Sequence, residues 1–456
     1  MENYYDVVVI GAGISGLSLS HYLGKMRPDL KVVLLEKGER PGGAVRSFHK
    51  DGFLAEWGPH GFLDNSPSSR EILQDTGLDR EAQQAPLGDF HRYVCHNGVL
   101  TRLPQKPGKI LTTPLLSPLE KIRVLKDFWV EPVERDQTVG EWAARRFGQG
   151  VLPLVDAALT GSYAGDYEKL SIDAVMPGIR SLELKYGSVL KALLKTMRKK
   201  PKKKGMPAMK NFPQGMERLI QVLAQDRDIR LEAEVKSLSR NEGKWEVSTS
   251  GGTFYAANLV MALPVNAALK LLYPMSSPPV LEVPVSRIYN VVMGFSDKAQ
   301  IPYGFGYLAP EVEKRFTLGV MFSSHMFPGR APGNNQLLEA LVGGRRHPER
   351  LDLDDETIIK EVYKDISDLM DLPEPPFFTE VLRPQSGIPQ LEKDHPALLE
   401  WRSRMEATEE GLFICGFGWD GIGINDMTKS ARRIAEDLAA GQRGEKGQAE
   451  VKPVYF

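Results

Sequence analysis

The run Gly11-Ala12-Gly13-Ile14-Ser15-Gly16 constrains this chain more than any other feature, because of what stands on either side of it. Before it, Val7-Val8-Val9-Ile10 is wholly apolar and β-branched, which suits a strand buried on both faces of a parallel sheet. After it, from Ile14 to Leu23, the apolar spacing becomes helical, and Lys31–Glu36 reads as a second strand. One βαβ unit therefore opens the chain. In such a unit the first glycine makes the tight turn and the second lets backbone N–H groups approach a pyrophosphate. The third lets helix and strand pack closely. The helix N-terminus adds partial positive charge at the same point. Glu36 closes the second strand, where an acid accepts hydrogen bonds from ribose hydroxyls. Strand, loop, helix, strand and acid together predict a dinucleotide site.

Three further runs say which dinucleotide. Arg40-Pro41-Gly42-Gly43-Ala44-Val45-Arg46-Ser47 opens the backbone at adjacent glycines, and Arg46 suits a phosphate. Glu56-Trp57-Gly58-Pro59-His60-Gly61-Phe62 follows. Near the other end, Gly416-Phe417-Gly418-Trp419-Asp420-Gly421-Ile422-Gly423-Ile424-Asn425-Asp426 is a second glycine-rich junction between a strand, 411–416, and a helix, 427–440. A helix start there suits the pyrimidine edge of a flavin, whose reduced ring carries negative charge. The expectation is non-covalent FAD held from both ends of the chain.

The middle of the sequence differs in character. Residues 111–200 hold long helical patterns, such as Leu119–Trp129 and Thr138–Phe147. Strand patterns follow at Arg230–Val235, Lys244–Ser248, Asn258–Ala262, Asn290–Phe295 and Arg315–Phe322. No internal repeat is visible, no Gly-x-Ser-x-Gly elbow marks a nucleophile, and the eight histidines are scattered, so no metal site is expected.

With these residues set out, the chain resembles the amine-oxidase-like flavoprotein superfamily, and within it the oxygen-dependent protoporphyrinogen oxidases. The resemblance spans nearly the whole length. It rests on GAGISGL, ERPGGAVRS and EWGPHGF at the front, and on Gly161-Ser-Tyr-Ala-Gly165-Asp166 with Leu170-Ser171 in the middle. Gly306–Pro310, Thr317–Gly319, Val342–Gly344, Gly387–Gln390 and GFGWDGIGIND complete it.

The resemblance implies an α/β protein with a discontinuous Rossmann-like FAD-binding domain, an α+β substrate domain and an inserted helical, membrane-facing domain. The FAD domain would take residues 1–88, 211–285 and 381–456, the substrate domain 89–110 and 286–380, and the helical domain 111–210. The reaction implied is six-electron oxidation of protoporphyrinogen IX to protoporphyrin IX with oxygen as acceptor. Arg92 would pair with a substrate propionate, a role that suits its bidentate fork. Leu308, Met321 and Leu341 would pack on the macrocycle, and the Gly161 carbonyl would face the pyrrole N–H groups. FAD would be held by Gly11, Ala12, Gly13, Ile14, Ser15, Gly16, Glu36, Lys37, Gly43, Ala44, Arg46, Gly58, Pro59, His60, Gly61, Val235, Trp419, Gly421, Ile422, Gly423 and Ile424. His60 departs from the arginine of animal relatives and the asparagine of plant ones. The flavin would carry the chemistry, with no catalytic side chain required.

Composition trims the alternatives. Lys and Arg number 58 against 59 Asp and Glu, so no global charge draws the chain to nucleic acid. Two cysteines, Cys95 and Cys415, make no disulfide framework and point to a reducing, cytoplasmic setting. The N-terminus lacks the features of a signal peptide, and no run approaches the roughly 18 apolar residues that span a bilayer. Arg198, Lys199, Lys200, Lys202, Lys203 and Lys204 cluster, however. A polybasic segment gains about 1 kcal/mol per charge at an anionic surface, so peripheral membrane binding is the expectation. A homodimer is compatible with the sequence. Three other readings stay open: a coproporphyrinogen III oxidase, an amine oxidase or desaturase, and a non-catalytic binding protein of the same fold.

Overall fold

A computed structural model describes residues 3–86, 88–104, 112–199 and 207–441. The basic run largely falls outside them: Lys200 and 202–204 are not described, nor are the side chains of Arg198 and Lys199.

The first strand, Tyr4–Ile10, lies inside a seven-stranded sheet. It pairs in parallel with Val32–Leu35 on one side and with Gly252–Met261 on the other. Ile229–Arg230 extends the sheet beyond Val32–Leu35, and Leu412–Ile414 pairs in parallel with the far half of Gly252–Met261. The near half of that long strand carries an antiparallel ribbon, Lys244–Thr249 and Val235–Asn241. One sheet thus gathers strands from the start, middle and end of the chain.

Alternation sorts its side chains. Val7 and Val9 face helices Ile14–Met26 and Ile424–Ala440, which pack against each other. Val8 and Ile10 face helices Val265–Leu272 and His395–Thr408 with Trp245 and Trp419. Both faces are covered, as the unbroken apolar run required. Because the strands at the core of the sheet are parallel, both helices Ile14–Met26 and Ile424–Ala440 begin at its carboxyl edge, where ligands of such sheets bind.

A second sheet of seven strands runs in the order Phe378–Leu382, Ile288–Phe295, Gln336–Gly343, Gly319–Phe322, Gly306–Leu308, Arg92–His96 and Val99–Arg102. One face packs under helix Asp355–Ser367 through Tyr93, Tyr307, Val320, Leu338, Ala340 and Val291. The other face looks toward the rest of the molecule.

Between Val99–Arg102 and Ala208–Asn211 the chain makes a helical insert with its own core, including Val139, Trp142, Leu159, Leu170 and Ile172. At its heart the fully buried Arg146 pairs with Asp127 and Glu183, and Glu183 also accepts from Trp142 and Arg180. Ala208–Asn211 then pairs with Phe62–Leu63 and Gln83–Pro86, which returns the chain to its N-terminal segment.

Several boundaries differ from the sequence expectation, three of them for reasons visible in the hydrogen bonds. Arg230–Val235 is not one strand: Glu232 turns with φ 53°, and the Ala233 N–H bonds the Glu36 carbonyl instead of continuing a ladder. Arg315–Phe322 is strand only from Gly319, because the Phe316 and Thr317 N–H groups are held by Asp365. The last helix starts at Ile424 rather than Met427, because the Asp426 carboxylate accepts from the Gly423 N–H and supports the first turn.

Candidate functional site

The three loop glycines divide their work as the spacing requires. Gly11 has φ 102°, and its N–H donates to the Leu35 carbonyl at 2.8 Å. A Cβ on Gly16 would lie 2.0 Å from the Gly11 carbonyl oxygen, so helix and loop touch there. A Cβ on Gly13 would meet nothing within 4 Å: this glycine faces open space. Helix Ile14–Met26 has no side-chain cap and no acid in its first turn, so its N–H groups keep their capacity for an anion. Glu36 lies at the loop, where its Oε2 accepts from the Ala12 N–H at 3.1 Å and its Oε1 from the Gly38 N–H at 2.9 Å. Lys37 is exposed beside it. The Ala233–Glu36 hydrogen bond brings the turn before Val235 against the same strand end.

The second run lies alongside. The Gly42 N–H donates to the Ala12 carbonyl at 2.8 Å, and a Cβ on Gly43 would be 3.7 Å from Gly13 Cα. Gly43, Ala44 and Arg46 are exposed, and the Arg46 guanidinium lies over the Trp57 ring. Arg40 shapes this run from below, donating to the carbonyls of Pro41, Gly43 and Val45. Gly58 packs on Ala44 so tightly that a Cβ would sit 2.1 Å from the Ala44 oxygen. These contacts set Glu36 and the turn before Val235, Gly13, Gly43–Ala44 and the Gly58-Pro59-His60-Gly61 segment in a row, the candidate cofactor groove.

The C-terminal junction joins the same edge. Gly421 has φ 143°, and a Cβ there would meet the Asp426 carboxylate. Asp420 accepts two hydrogen bonds from Arg402, at 3.0 and 2.7 Å, and a third from Ser430. Asn425 donates to the Leu63 carbonyl, which binds the helix start to the N-terminal segment. Ile422 and Gly423 remain accessible. The Trp419 indole is fully buried in the core beneath the loop. The Trp419 carbonyl is engaged by the buried His395 ring at 3.0 Å.

The second sheet brings the other predicted residues onto one face. Its register forms a straight row, Arg92–Gly306–Met321–Glu339–Val292. The next row on that face is Val94–Leu308–Gly319–Leu341–Asn290. Leu308, Met321 and Leu341 are half-buried neighbours there. Helix Leu152–Tyr163 meets this face from the insert at Leu308, with Gly161 so close that a Cβ would lie 2.9 Å from Leu308 Cδ1. Arg92 is the anomaly of this face. Among the described residues both its terminal nitrogens are buried without a hydrogen-bond partner, and burial pushes its guanidinium down to about 10.

Where the groove meets this face stands a cluster that the motifs did not reveal. The Glu339 carboxylate accepts from Ser323 Oγ at 2.6 Å and Asn290 Nδ2 at 2.6 Å, and it lies 2.9 Å from His60 Nε2. Behind it, Glu56 accepts from Arg330, Asn211, Ser47 and the Met216 N–H. Glu339 lies within an apolar strand and Asn290 at a strand end, so neither showed a motif.

The flavin-containing amine oxidoreductase family matches residues 14–439. The chain belongs to that family. Over 94% of its length it is 27% identical to protoporphyrinogen oxidase 2, chloroplastic/mitochondrial, of Arabidopsis thaliana, covering 93% of that protein. It is 26% identical to coproporphyrinogen III oxidase of Bacillus subtilis over 94% of this chain and 97% of the relative. A crystal structure from Exiguobacterium sp. 255-15 superimposes with a TM-score of 0.80 at 24% identity, covering 97% of this chain and 100% of that one, which shows the shared fold.

As a member of this family the chain is an FAD-dependent oxidoreductase, and its groove fits that cofactor. Open space at Gly13, a carboxylate at the strand end and the uncapped start of helix Ile14–Met26 at one sheet edge are what the dinucleotide needs. The junction also carries a pH dependence. Burial, only partly countered by the hydrogen bond to Trp419, pushes His395 down to about 4. The folded state thus holds it neutral while the unfolded chain protonates near 6.5. Its contribution is fully present above 6.5 and is lost as pH falls from 6.5 toward 4, about 3 kcal/mol in all. Melting curves at pH 7.5 and 4.5 should show that part of the acid loss is absent in His395→Gln; an equal loss in both proteins would contradict it.

Proposed function

We propose that this flavoenzyme oxidises a porphyrinogen, protoporphyrinogen IX to protoporphyrin IX, with oxygen as acceptor. The observation that carries the reading is Arg92: a cation whose two buried fork nitrogens have no partner among the described residues, at the end of an apolar face. An uncompensated buried cation is costly, so the site is built for an anion it does not itself contain. A large apolar ring bearing carboxylates meets both demands. Leu308, Met321 and Leu341 hold the macrocycle, Arg92 takes a propionate, and the Gly161 carbonyl accepts from pyrrole N–H groups. The insert keeps water away. Bound FAD supplies the oxidising power, as a hydride acceptor. In sum three hydride equivalents and three protons leave the substrate, and three oxygen molecules become three of hydrogen peroxide.

The Bacillus subtilis relative supports a second reading, coproporphyrinogen III as substrate, at nearly the same identity. Purified holoprotein incubated separately with each porphyrinogen, with porphyrin fluorescence as readout, decides between them. Faster product from protoporphyrinogen supports the first reading, and the reverse supports the second. Fluorescence from neither ends both and returns the chain to amine oxidation, desaturation or a binding role.

We also propose that the helical insert docks on an anionic membrane from the cytoplasmic side. Among the described residues no helix is long and apolar enough to cross a bilayer. The insert nonetheless exposes Leu119 (78%), Ile122 (60%) and Leu125 along one side of helix Pro118–Leu125, then Trp129 (79%). Leu193 and Leu194 are exposed on helix Val189–Lys199, which packs beside Lys126–Phe128. Such a patch suits the headgroup boundary. Burying one such side chain contributes about 1.5–3 kcal/mol. The double change Leu119→Glu, Trp129→Glu should therefore weaken sedimentation with phosphatidylserine vesicles at least about tenfold, with flavin content unchanged. Equal sedimentation of both proteins would remove the proposal.

A further inference from the structure

We propose that Glu339 is a positioning residue: it fixes the His60 ring at the inner end of the FAD groove, with Nε2 as the donor. The inference rests on FAD occupying that groove and not on which molecule is oxidised.

The geometry leaves the ring one role. His60 follows Gly58, whose missing side chain lets this segment lie on Ala44, so the imidazole stands where the groove reaches the second sheet. Its Nε2 is 2.9 Å from Glu339 Oε2. That carboxylate is fixed from every other direction: Ser323 donates to Oε1, and Asn290, anchored on the Glu56 carbonyl, donates to Oε2. The carboxylate is almost fully buried, at 2% exposure, whereas the His60 side chain keeps 16%. The ring is thus the member of the pair that faces outward.

Charge balance points the same way. The titratable and charged groups around His60 are Glu339 on strand Gln336–Gly343, Glu56 on strand Phe53–Glu56, and Arg330 on the loop before Gln336. Arg330 is committed to Glu56 at 3.0 Å. Glu339 therefore has no cation among the described residues except His60. Burial by itself lowers the His60 pKa, but the Glu339 carboxylate outweighs that and raises it. On the other side, burial would raise Glu339, yet His60, Ser323 and Asn290 bring it down to about 2. A positive ring at the end of the groove favours a flavin that has gained negative charge on reduction. The row Arg92–Gly306–Met321–Glu339 places this pair three strands from Arg92, about 14 Å at ordinary strand spacing. The two polar ends of the face are thereby given separate tasks, one for a ligand carboxylate and one for the cofactor.

The test reads the ring directly. Histidine-labelled holoprotein is titrated by NMR, with the His60 signal assigned by its absence in His60→Asn. The expected wild-type midpoint lies above 6.5, with the Nε2 proton bound. In Glu339→Gln it should fall by a pH unit or more, about tenfold in proton affinity. The flavin equilibrium should move toward the oxidised form by about tenfold, or about 30 mV for a two-electron couple. An unchanged titration or an unchanged potential in Glu339→Gln overturns the proposal. So does a wild-type His60 midpoint at or below 6.5, a result that needs no variant to fold. A protein that takes up no FAD would defeat the functional reading instead, while the His60 titration in the apoprotein would still report on Glu339.

Discussion

Gly16→Ala is expected to give a protein with almost no bound flavin and a lowered melting temperature. The new Cβ would stand 2.0 Å from the Gly11 carbonyl oxygen, a backbone atom that cannot swing aside. Relief requires helix Ile14–Met26 to back away from the loop. That helix is locked by Leu17, Leu19 and Tyr22, each fully buried. Overpacking of this kind costs about 1–3 kcal/mol. The greater loss is functional, because the N–H groups that would face the pyrophosphate move with the helix, and FAD affinity should fall by about a hundredfold or more. Gly13→Ala is the control. At φ −74° it accepts a side chain without strain, and no atom lies within 4 Å of its Cβ. That variant should melt like the wild-type apoprotein and still lose flavin, because the methyl group enters the cofactor's path. Flavin absorbance per chain and apoprotein melting separate the two effects; full flavin in Gly16→Ala would mean the groove is not the FAD site.

These contrasts show why some of the site was legible in the sequence. A glycine needed for close approach or positive φ leaves a mark that spacing alone reveals, and Gly11 and Gly16 prove to be such positions. The doubly covered sheet was equally readable, because Val7–Ile10 has no polar side to offer. Glu339 and Asn290 were not readable. Their importance comes from cross-strand register, and the strands that align them are far apart in sequence. The Arg230–Val235 alternation misled for a related reason: its pattern suits a strand, but the tertiary hydrogen bond from Ala233 to Glu36 wins. Trp419 sits in a glycine-rich motif while its side chain turns into the core, which composition does not show.

Arg92→Met should weaken the porphyrinogen complex and strengthen the fold at once. In the free protein the guanidinium is charged at neutral pH, largely buried, and without partners for its two terminal nitrogens among the described residues. Replacing it with an apolar chain of similar length removes that desolvation cost, so the melting temperature of the substrate-free protein should rise, by about 1 kcal/mol in stability or more. The same change removes a bidentate, charge-assisted contact worth about 1.5–3 kcal/mol, so KM should rise roughly tenfold to a hundredfold with flavin content intact. Arg92→Lys keeps the charge but not the fork and should fall between. The opposite signs are the diagnostic point. An arginine serving only as a structural salt bridge would lose stability on substitution and leave KM alone. One held ready for a carboxylate ligand gains stability and loses affinity. Melting curves and steady-state kinetics on the same three proteins distinguish these outcomes, and a destabilised Arg92→Met with unchanged KM would remove Arg92 from the binding site.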